Sequence, residues 1–135
     1  MAKESGLGWS TASRDDSSGS LRALVNDVTN VEFSTPRAVQ DVTGMDKSAM
    51  ERLLLLGDYS STWTGVFNDA SNVAHDVHKT VASADVTRSE SLVVSGQTLN
   101  NEVLITDYAL SRPSSGELTW TAPAVLQSGT DPTWS

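Results

Sequence analysis

The stretch that decides the fold runs from residue 59 to residue 67 and reads YSSTWTGVF. Its odd positions include Tyr59, Trp63 and Phe67, whereas the even positions are mostly small and polar. A period of two places the large rings on one side of an extended strand and the polar groups on the other. The sequence therefore predicts a β-strand with one buried face, and it places Trp63 in the core of the protein.

A helical pattern follows this strand. Asp69 is a suitable N-cap, and the apolar residues at 70, 73, 74, 77 and 81 have the spacing of an amphipathic helix, which we predict over residues 69–82. His75 and His78 lie within it, at a spacing that could present two imidazoles to one metal ion. Because no third ligand occurs at a fixed spacing, we expect these histidines on the solvated face of the helix, and no metal or other cofactor is predicted.

The rest of the chain has mostly β-type patterns. Short alternating segments bounded by Pro, Gly, Asn or Ser predict further strands over 21–25, 31–35, 37–43, 86–95, 99–111 and 117–122. We expect one domain over residues 21–122, a Gly- and Ser-rich N-terminal arm over residues 1–20 and a C-terminal arm over residues 123–135. Trp120 is interpreted as a core residue like Trp63, with an interface or carbohydrate-stacking role as the alternative for these two and for Trp134.

One apolar excursion interrupts the β pattern. Residues 44–57 are bounded by glycines, are rich in Met and Leu and lack β-branched residues, so they are interpreted as a loop with a helical turn around residues 48–54. The four leucines at 53–56 are more apolar than a solvated loop requires. Either they fold back onto the core or they contact a neighbouring subunit, and the sequence leaves both interpretations open.

Composition excludes several classes of function. The 135 residues carry 17 acidic and nine basic side chains, a net charge of −8, which argues against binding nucleic acid by neutralising phosphates. No cysteine is present, which excludes disulfides and thiol catalysis. No stretch is apolar enough for a membrane span or a signal peptide, so we expect a cytosolic protein, or one that leaves the cytosol inside an assembly. Hydrolase elbows and phosphate loops are absent, so an enzyme is not predicted.

The order of the segments resembles the major tail tube proteins of long-tailed, non-contractile bacteriophages. The similarity extends over about residues 14–134 and is strongest in the C-terminal part. The segments that carry it are 14–22, 28–33, 41–44, 56–67, 101–108, 111–112, 116–123 and 129–134.

This resemblance implies a mainly β fold, a flattened antiparallel β-barrel or sandwich of two sheets with a helix on its flank. It implies six copies in a ring, and rings stacked into a hollow tube through which DNA is ejected. The chain would then be a non-enzymatic virion protein, assembled in the host cytoplasm. Its partners would be itself, other tail proteins at the tip and terminator, and DNA that passes without specific binding. No membrane partner is expected.

The net charge agrees with such a conduit. Six copies at −8 each give −48 per ring, which suits a passage that must not hold a polyanion. Two alternatives remain open: a ring-forming subunit of a secretion tube or head-to-tail connector, and a monomeric carbohydrate-binding β-sandwich.

Two sets of candidate site residues follow. Polar strand faces are predicted to line the lumen, although the same faces could point outward to solvent; they comprise Asp85, Thr87, Ser89, Ser91, Glu117, Thr119 and Thr121. Stacking between rings is assigned to the excursion and the terminal arms, because these carry apolar and charged groups that a monomer does not need. The stacking set comprises Met45, Asp46, Lys47, Met50, Glu51, Arg52, Leu53, Leu54 and Trp134.

Overall fold

A computed structural model describes residues 3–135 and contains, over that range, an eight-stranded antiparallel sheet, a separate two-stranded ribbon and one short α-helix. A 3-10 turn at Gly6–Gly8 precedes the first strand. The strands are β1 (Trp9–Asp15), β2 (Leu21–Ala23), β3 (Val28–Ser34), β4 (Arg37–Asp41), β5 (Arg52–Gly57), β6 (Ser60–Val66), β7 (Arg88–Val94), β8 (Gln97–Ile105), β9 (Ala109–Ser111) and β10 (Thr119–Leu126), and the helix α1 is Ala74–His78.

The large sheet folds over itself. Its strand order is β2-β1-β7-β8-β10-β6-β3, with β9 paired to the first part of β10. Glu90 on β7 bonds to side chains of β6, so the half β2-β1-β7-β8 faces the half β10-β6-β3. The end strands β2 and β3 do not pair with each other, so the sheet stays open. The mainly β fold with one flanking helix is confirmed, as a single folded sheet in place of a closed barrel.

Two tryptophans form the centre of the core, as predicted. Trp63 on β6 and Trp120 on β10 are buried, together with Leu92 on β7. Trp120 lies opposite Gly65 in the register of the two strands. A Cβ at Gly65 would overlap the carbonyl oxygen of Asp27 and lie 2.9 Å from Trp120 Cζ2, so glycine lets the wide ring pack against the backbone.

Both predicted arms contribute to the sheet, which corrects the expected domain boundaries. Within residues 1–20, Trp9–Asp15 forms β1 between β2 and β7. Its inward side chains are Ala12 and Arg14, and a buried arginine gives no hydrophobic signal in the sequence. In the C-terminal segment, β10 continues to Leu126, and Trp134 then forms a β-bridge with Leu99 on β8.

The helix and the excursion also differ from the expectation. The helix spans only Ala74–His78 rather than residues 69–82, and its first amide is capped by the carboxylate of Asp27 rather than by Asp69. The apolar face of the helix is confirmed, because Ala74 and Val77 are buried.

The excursion over residues 44–57 is an extended hairpin arm rather than a loop with a helical turn. None of the described helices is long and apolar enough to cross a membrane.

Candidate assembly surfaces

Residues 37–57, the ribbon, form a hairpin that projects from the sheet. β4 and β5 pair only with each other among the described strands, through Val39 opposite Leu54 and Asp41 opposite Arg52. Its base is closed by a 2.9 Å hydrogen bond from the Asp58 amide to the Pro36 carbonyl. The ribbon is therefore held to the body of the protein mainly at its base.

Both faces of the ribbon are apolar and exposed. Val39, Leu54 and Leu56 share one face, and Leu54 and Leu56 are 61% and 89% exposed. Leu53 and Leu55 lie on the other face, at 53% and 40% exposure. Because soluble monomers rarely expose contiguous apolar patches of this kind, the ribbon has the properties of an interaction surface.

The far end of the ribbon is ordered by local hydrogen bonds. The Asp41 carboxylate accepts bonds from the hydroxyl and the amide of Thr43, at 2.6 and 3.0 Å, and these bonds lower the pKa of Asp41. The Thr43 oxygen in turn accepts the Glu51 amide at 2.8 Å. At the base, the Arg37 guanidinium donates two bonds to the Leu55 carbonyl. The ribbon is thus a preformed element.

The structure brings together eight of the nine stacking candidates. Met45, Asp46, Lys47, Met50, Glu51, Arg52, Leu53 and Leu54 all lie on the ribbon or its connecting turn. Trp134 lies apart from them, 45% exposed, with its ring 5.9 Å from the ring of Phe33. The C-terminal segment nevertheless reaches the ribbon, because Asp131 lies beside Gly57 at the base of β5.

The lumen candidates fall on two different surfaces. Ser89 and Ser91 point outward from β7, with Asp85 and Thr87 just before that strand. Thr119 and Thr121 point outward from β10, with Glu117 just before it. Because the inward sides of these two strands meet in the same core, the two sets face away from each other.

Basic side chains are absent from both outward faces of the sheet within residues 3–135. Arg14 and Arg88 are buried, and Arg22 shares the inward side of β2 with its cross-strand partner Arg14. The others lie on the ribbon, in loops or beside the helix: Lys3, Arg37, Lys47, Arg52, Lys79 and Arg112. The outward faces instead carry hydroxyls, amides and the carboxylates of Glu32 and Glu102. Either face would present DNA with a wall that lacks cations.

A buried ion pair joins the two halves of the sheet. Arg14 Nε donates to Glu90 Oε2 at 3.2 Å, and both side chains are fully buried. Glu90 also accepts bonds from Tyr59 Oη at 2.7 Å, Ser61 Oγ at 3.0 Å and Trp63 Nε1 at 3.2 Å. The Arg14 guanidinium lies 4.0 Å from the centre of the Trp63 ring. Burial lowers the pKa of Arg14 and raises that of Tyr59.

The sequence analysis missed this pair. Glu90 is not among the candidate residues of the sequence, although it is only 1% exposed. A signal was present, because Glu90 lies two positions before the inward Leu92 on the same strand and therefore on the same face.

The histidines are not on a solvated face, which corrects that expectation. His78 is buried, its Nδ1 donates to the Ala74 carbonyl at 2.8 Å, and its Nε2 accepts from Arg14 Nη1 at 3.1 Å. Burial and the neighbouring Arg14 lower the pKa of His78 to about 3. His75 bonds to the hydroxyl of Tyr108. No group of three or more His, Cys, Asp or Glu among residues 3–135 is arranged to hold a metal ion.

The chain is similar to known proteins in structure, whereas no similarity was found at the level of sequence. No family model and no curated protein sequence matches the chain. Among solved structures, it is similar to a chain in the tail of an empty gene transfer agent (GTA) particle, computed with helical refinement in C6 symmetry. The TM-score is 0.79 at 15% identity, over 98% of this chain and 99% of the other. The chain shares the fold of this GTA tail chain.

Two further structures share this fold. A chain of the native GTA virion has a TM-score of 0.77 at 14% identity, over 98% of this chain and 99% of that one. A chain of the anti-feeding prophage baseplate, 6-fold symmetrised, has a TM-score of 0.67 at 10% identity, over 100% and 97%. The resemblance drawn from the sequence is confirmed at the level of the fold.

Proposed function

We propose that this chain is a structural tail protein that assembles into hexameric rings, which stack into a hollow tube. The observation that carries the proposal is the ribbon, a preformed element with two exposed apolar faces. A monomer gains nothing from exposing Leu54 and Leu56, whereas a head-to-tail contact buries them and can propagate from ring to ring. The protein would act by assembly, without catalysis, as part of a virion tail built in the host cytoplasm.

The fold and the charge support the same proposal. One of the similar chains described above comes from a tail with C6 symmetry. Six copies carry −48, and the outward sheet faces lack lysine and arginine within the described residues. At physiological salt, such a wall repels DNA over a Debye length of about 8–10 Å, so the genome slides without being held. Other tail proteins at the tip and terminator would complete the assembly.

We assign the lumen to the half β10-β6-β3, which contains Thr119 and Thr121. Both end strands, β2 and β3, have an unpaired edge among the described strands, but β3 has seven residues and β2 only three, so this half offers the longer edge to a neighbouring copy around the ring. The opposite set, which includes Ser89 and Ser91, would then face away from the passage.

Electron microscopy tests the assembly. Negative-stain images of the concentrated protein, with and without purified tail tips as nuclei, are expected to show hollow filaments with a stain-filled central line. The matched variant replaces residues 37–57 with a short Gly-Ser turn between Pro36 and Asp58, and it should remain a folded monomer or ring. Normal tubes from that variant, or a wild-type protein that stays monomeric under both conditions, would contradict the proposal.

Single-cysteine labelling tests which face lines the lumen. The chain has no native cysteine, so Thr121→Cys and Asp85→Cys each introduce one thiol. In assembled tubes, a bulky polyethylene glycol maleimide should modify Asp85→Cys and leave Thr121→Cys unreacted, whereas both should react in unassembled protein. The reverse pattern in tubes would assign the lumen to the β7 side.

One alternative assembly is favoured by a specific observation. The similarity to a chain of the 6-fold symmetrised baseplate agrees with a ring-forming subunit of a secretion tube or connector. Isolated rings without long tubes would favour it. Carbohydrate binding has less support, because Trp63 and Trp120 are buried and unavailable for stacking on a sugar.

A further inference from the structure

The ribbon carries an arginine, Arg52, that is unpaired within residues 3–135. Arg52 and Arg112 make no side-chain hydrogen bond or ion pair within the described part of the chain. Arg22, Lys47 and Lys79, in contrast, pair with nearby aspartates. Arg52 shares a ribbon face with Leu54, so this face presents an arginine beside an aliphatic side chain.

A cleft of complementary chemistry lies on the outward side of the half β2-β1-β7-β8. Its volume is ≈ 500 Å³, and its lining includes Leu21, Ser91, Asn100, Glu102, Thr130 and Asp131. Neither Glu102 nor Asp131 is paired with a cation in the described part of the chain. Leu21, at the β2 side of the cleft, is 53% exposed.

Glu102 is positioned in advance for a cation. Its two carboxylate oxygens accept bonds from Thr87 Oγ1 and Ser89 Oγ, each at 2.7 Å. These bonds fix the side chain and leave further lone pairs available. An arginine that arrives from outside therefore loses little free energy to ordering its acceptor.

No acid among residues 3–135 forms an ion pair with Arg52, although Asp41 lies opposite it on β4. Asp131 lies at the ribbon base beside Gly57, and Arg52 is five residues farther along the extended strand β5. At roughly 3.3 Å per residue, the separation is about 17 Å along the strand, farther than an arginine side chain can reach. The ribbon points its cation away from its own cleft.

We infer that Arg52 and Leu54 of one copy occupy this cleft in a second copy, an inference that rests on the proposed assembly. Arg52 pairs there with Glu102 and Asp131, and Leu54 packs on Leu21. The Arg52 face is the one that enters, because Arg37 on the opposite face already donates to the Leu55 carbonyl, and Asp41 beside Arg52 already accepts from Thr43. The ribbon thus recognises its partner by charge as well as by apolar area.

Charge exchange tests the inference. Arg52→Glu and Glu102→Arg should each abolish tubes in electron micrographs, and the double variant should restore them. Arg112→Glu is the matched control, because it makes the same charge change at the other unpaired arginine and should form normal tubes. Thermal melts of every variant establish that the monomers are folded.

The outcomes separate this inference from the proposed function. Tubes formed by Arg52→Glu would contradict the docking of Arg52 in the cleft of a second copy, but they would still support the proposed assembly into tubes. Folded single variants that fail to assemble, together with a double variant that also fails, would overturn Glu102 as the acceptor. A wild-type protein that forms no tubes with tail tips present would instead remove the proposed function itself.

Discussion

Glu90→Gln should strongly destabilise the monomer. The glutamine keeps an oxygen that can accept from Tyr59 and Trp63, but it removes the anion that pairs with the buried Arg14 guanidinium. Breaking a buried pair by removing one partner typically costs about 3–5 kcal/mol, because the remaining charge is uncompensated. A domain has a total stability of about 5–15 kcal/mol, so the variant should unfold at a much lower denaturant concentration.

The double variant Arg14→Met/Glu90→Gln separates charge from packing. Methionine removes the orphaned cation and still covers the Trp63 ring, and the side-chain amide introduced at position 90 can donate to Ser61. We expect the double variant to be more stable than Glu90→Gln alone, with both measured by urea unfolding monitored through the fluorescence of the buried tryptophans. If Glu90→Gln lowers the free energy of unfolding by less than about 1 kcal/mol, the ion pair does not dominate the stability. A double variant that is less stable than Glu90→Gln would refute the same reasoning.

Three further predictions concern stability and solubility. The pKa of His78 is about 3 in the fold against 6.5 for an ordinary histidine, so the unfolded chain binds a proton that the fold excludes, and acid favours unfolding. When the pH falls from 7 to 5, the free energy of unfolding should decrease by about 2 kcal/mol because of this residue. Urea unfolding measured at both pH values should show a smaller decrease for His78→Gln than for the wild type. Gly65→Ala should destabilise by about 1–3 kcal/mol in thermal or urea unfolding, whereas Thr64→Ala on the outward face should have little effect. Leu56→Ser should reduce the binding of a hydrophobic dye by the monomer without lowering its melting temperature, because the ribbon lies outside the core.

The sequence was most informative where one face of a strand is apolar. The alternation in β6 and β10 identified Trp63 and Trp120 as core residues, and the apolar face of α1 was found in the same way. Hydrophobic patterning predicted β7 but missed β1 and the buried charged side chains Arg14, Arg88 and Glu90. Each of these side chains is buried because a partner distant in sequence satisfies it, and hydrophobic periodicity contains no information about such pairs.

The ribbon was misinterpreted for a different reason. Its leucines favour helix over strand by intrinsic propensity, and an apolar run with two similar faces has no alternation to detect. Pairing with the shorter strand Arg37–Asp41 overrides that propensity. The sequence left open whether these leucines pack on the core or contact a neighbouring subunit. In the structure the leucines are exposed and do not fold back onto the core, which leaves contact with a neighbouring subunit as the remaining interpretation.

The separation between core and ribbon makes assembly testable apart from folding. The body is stabilised by the tryptophan core and by a saturated ion pair, and no described strand of the body pairs with β4 or β5. Removing residues 37–57 therefore leaves every strand of the large sheet with its partners. A ribbon variant that melts like the wild type but forms no tubes isolates the contact between copies, whereas a variant that melts much earlier would mean that the ribbon also stabilises the body.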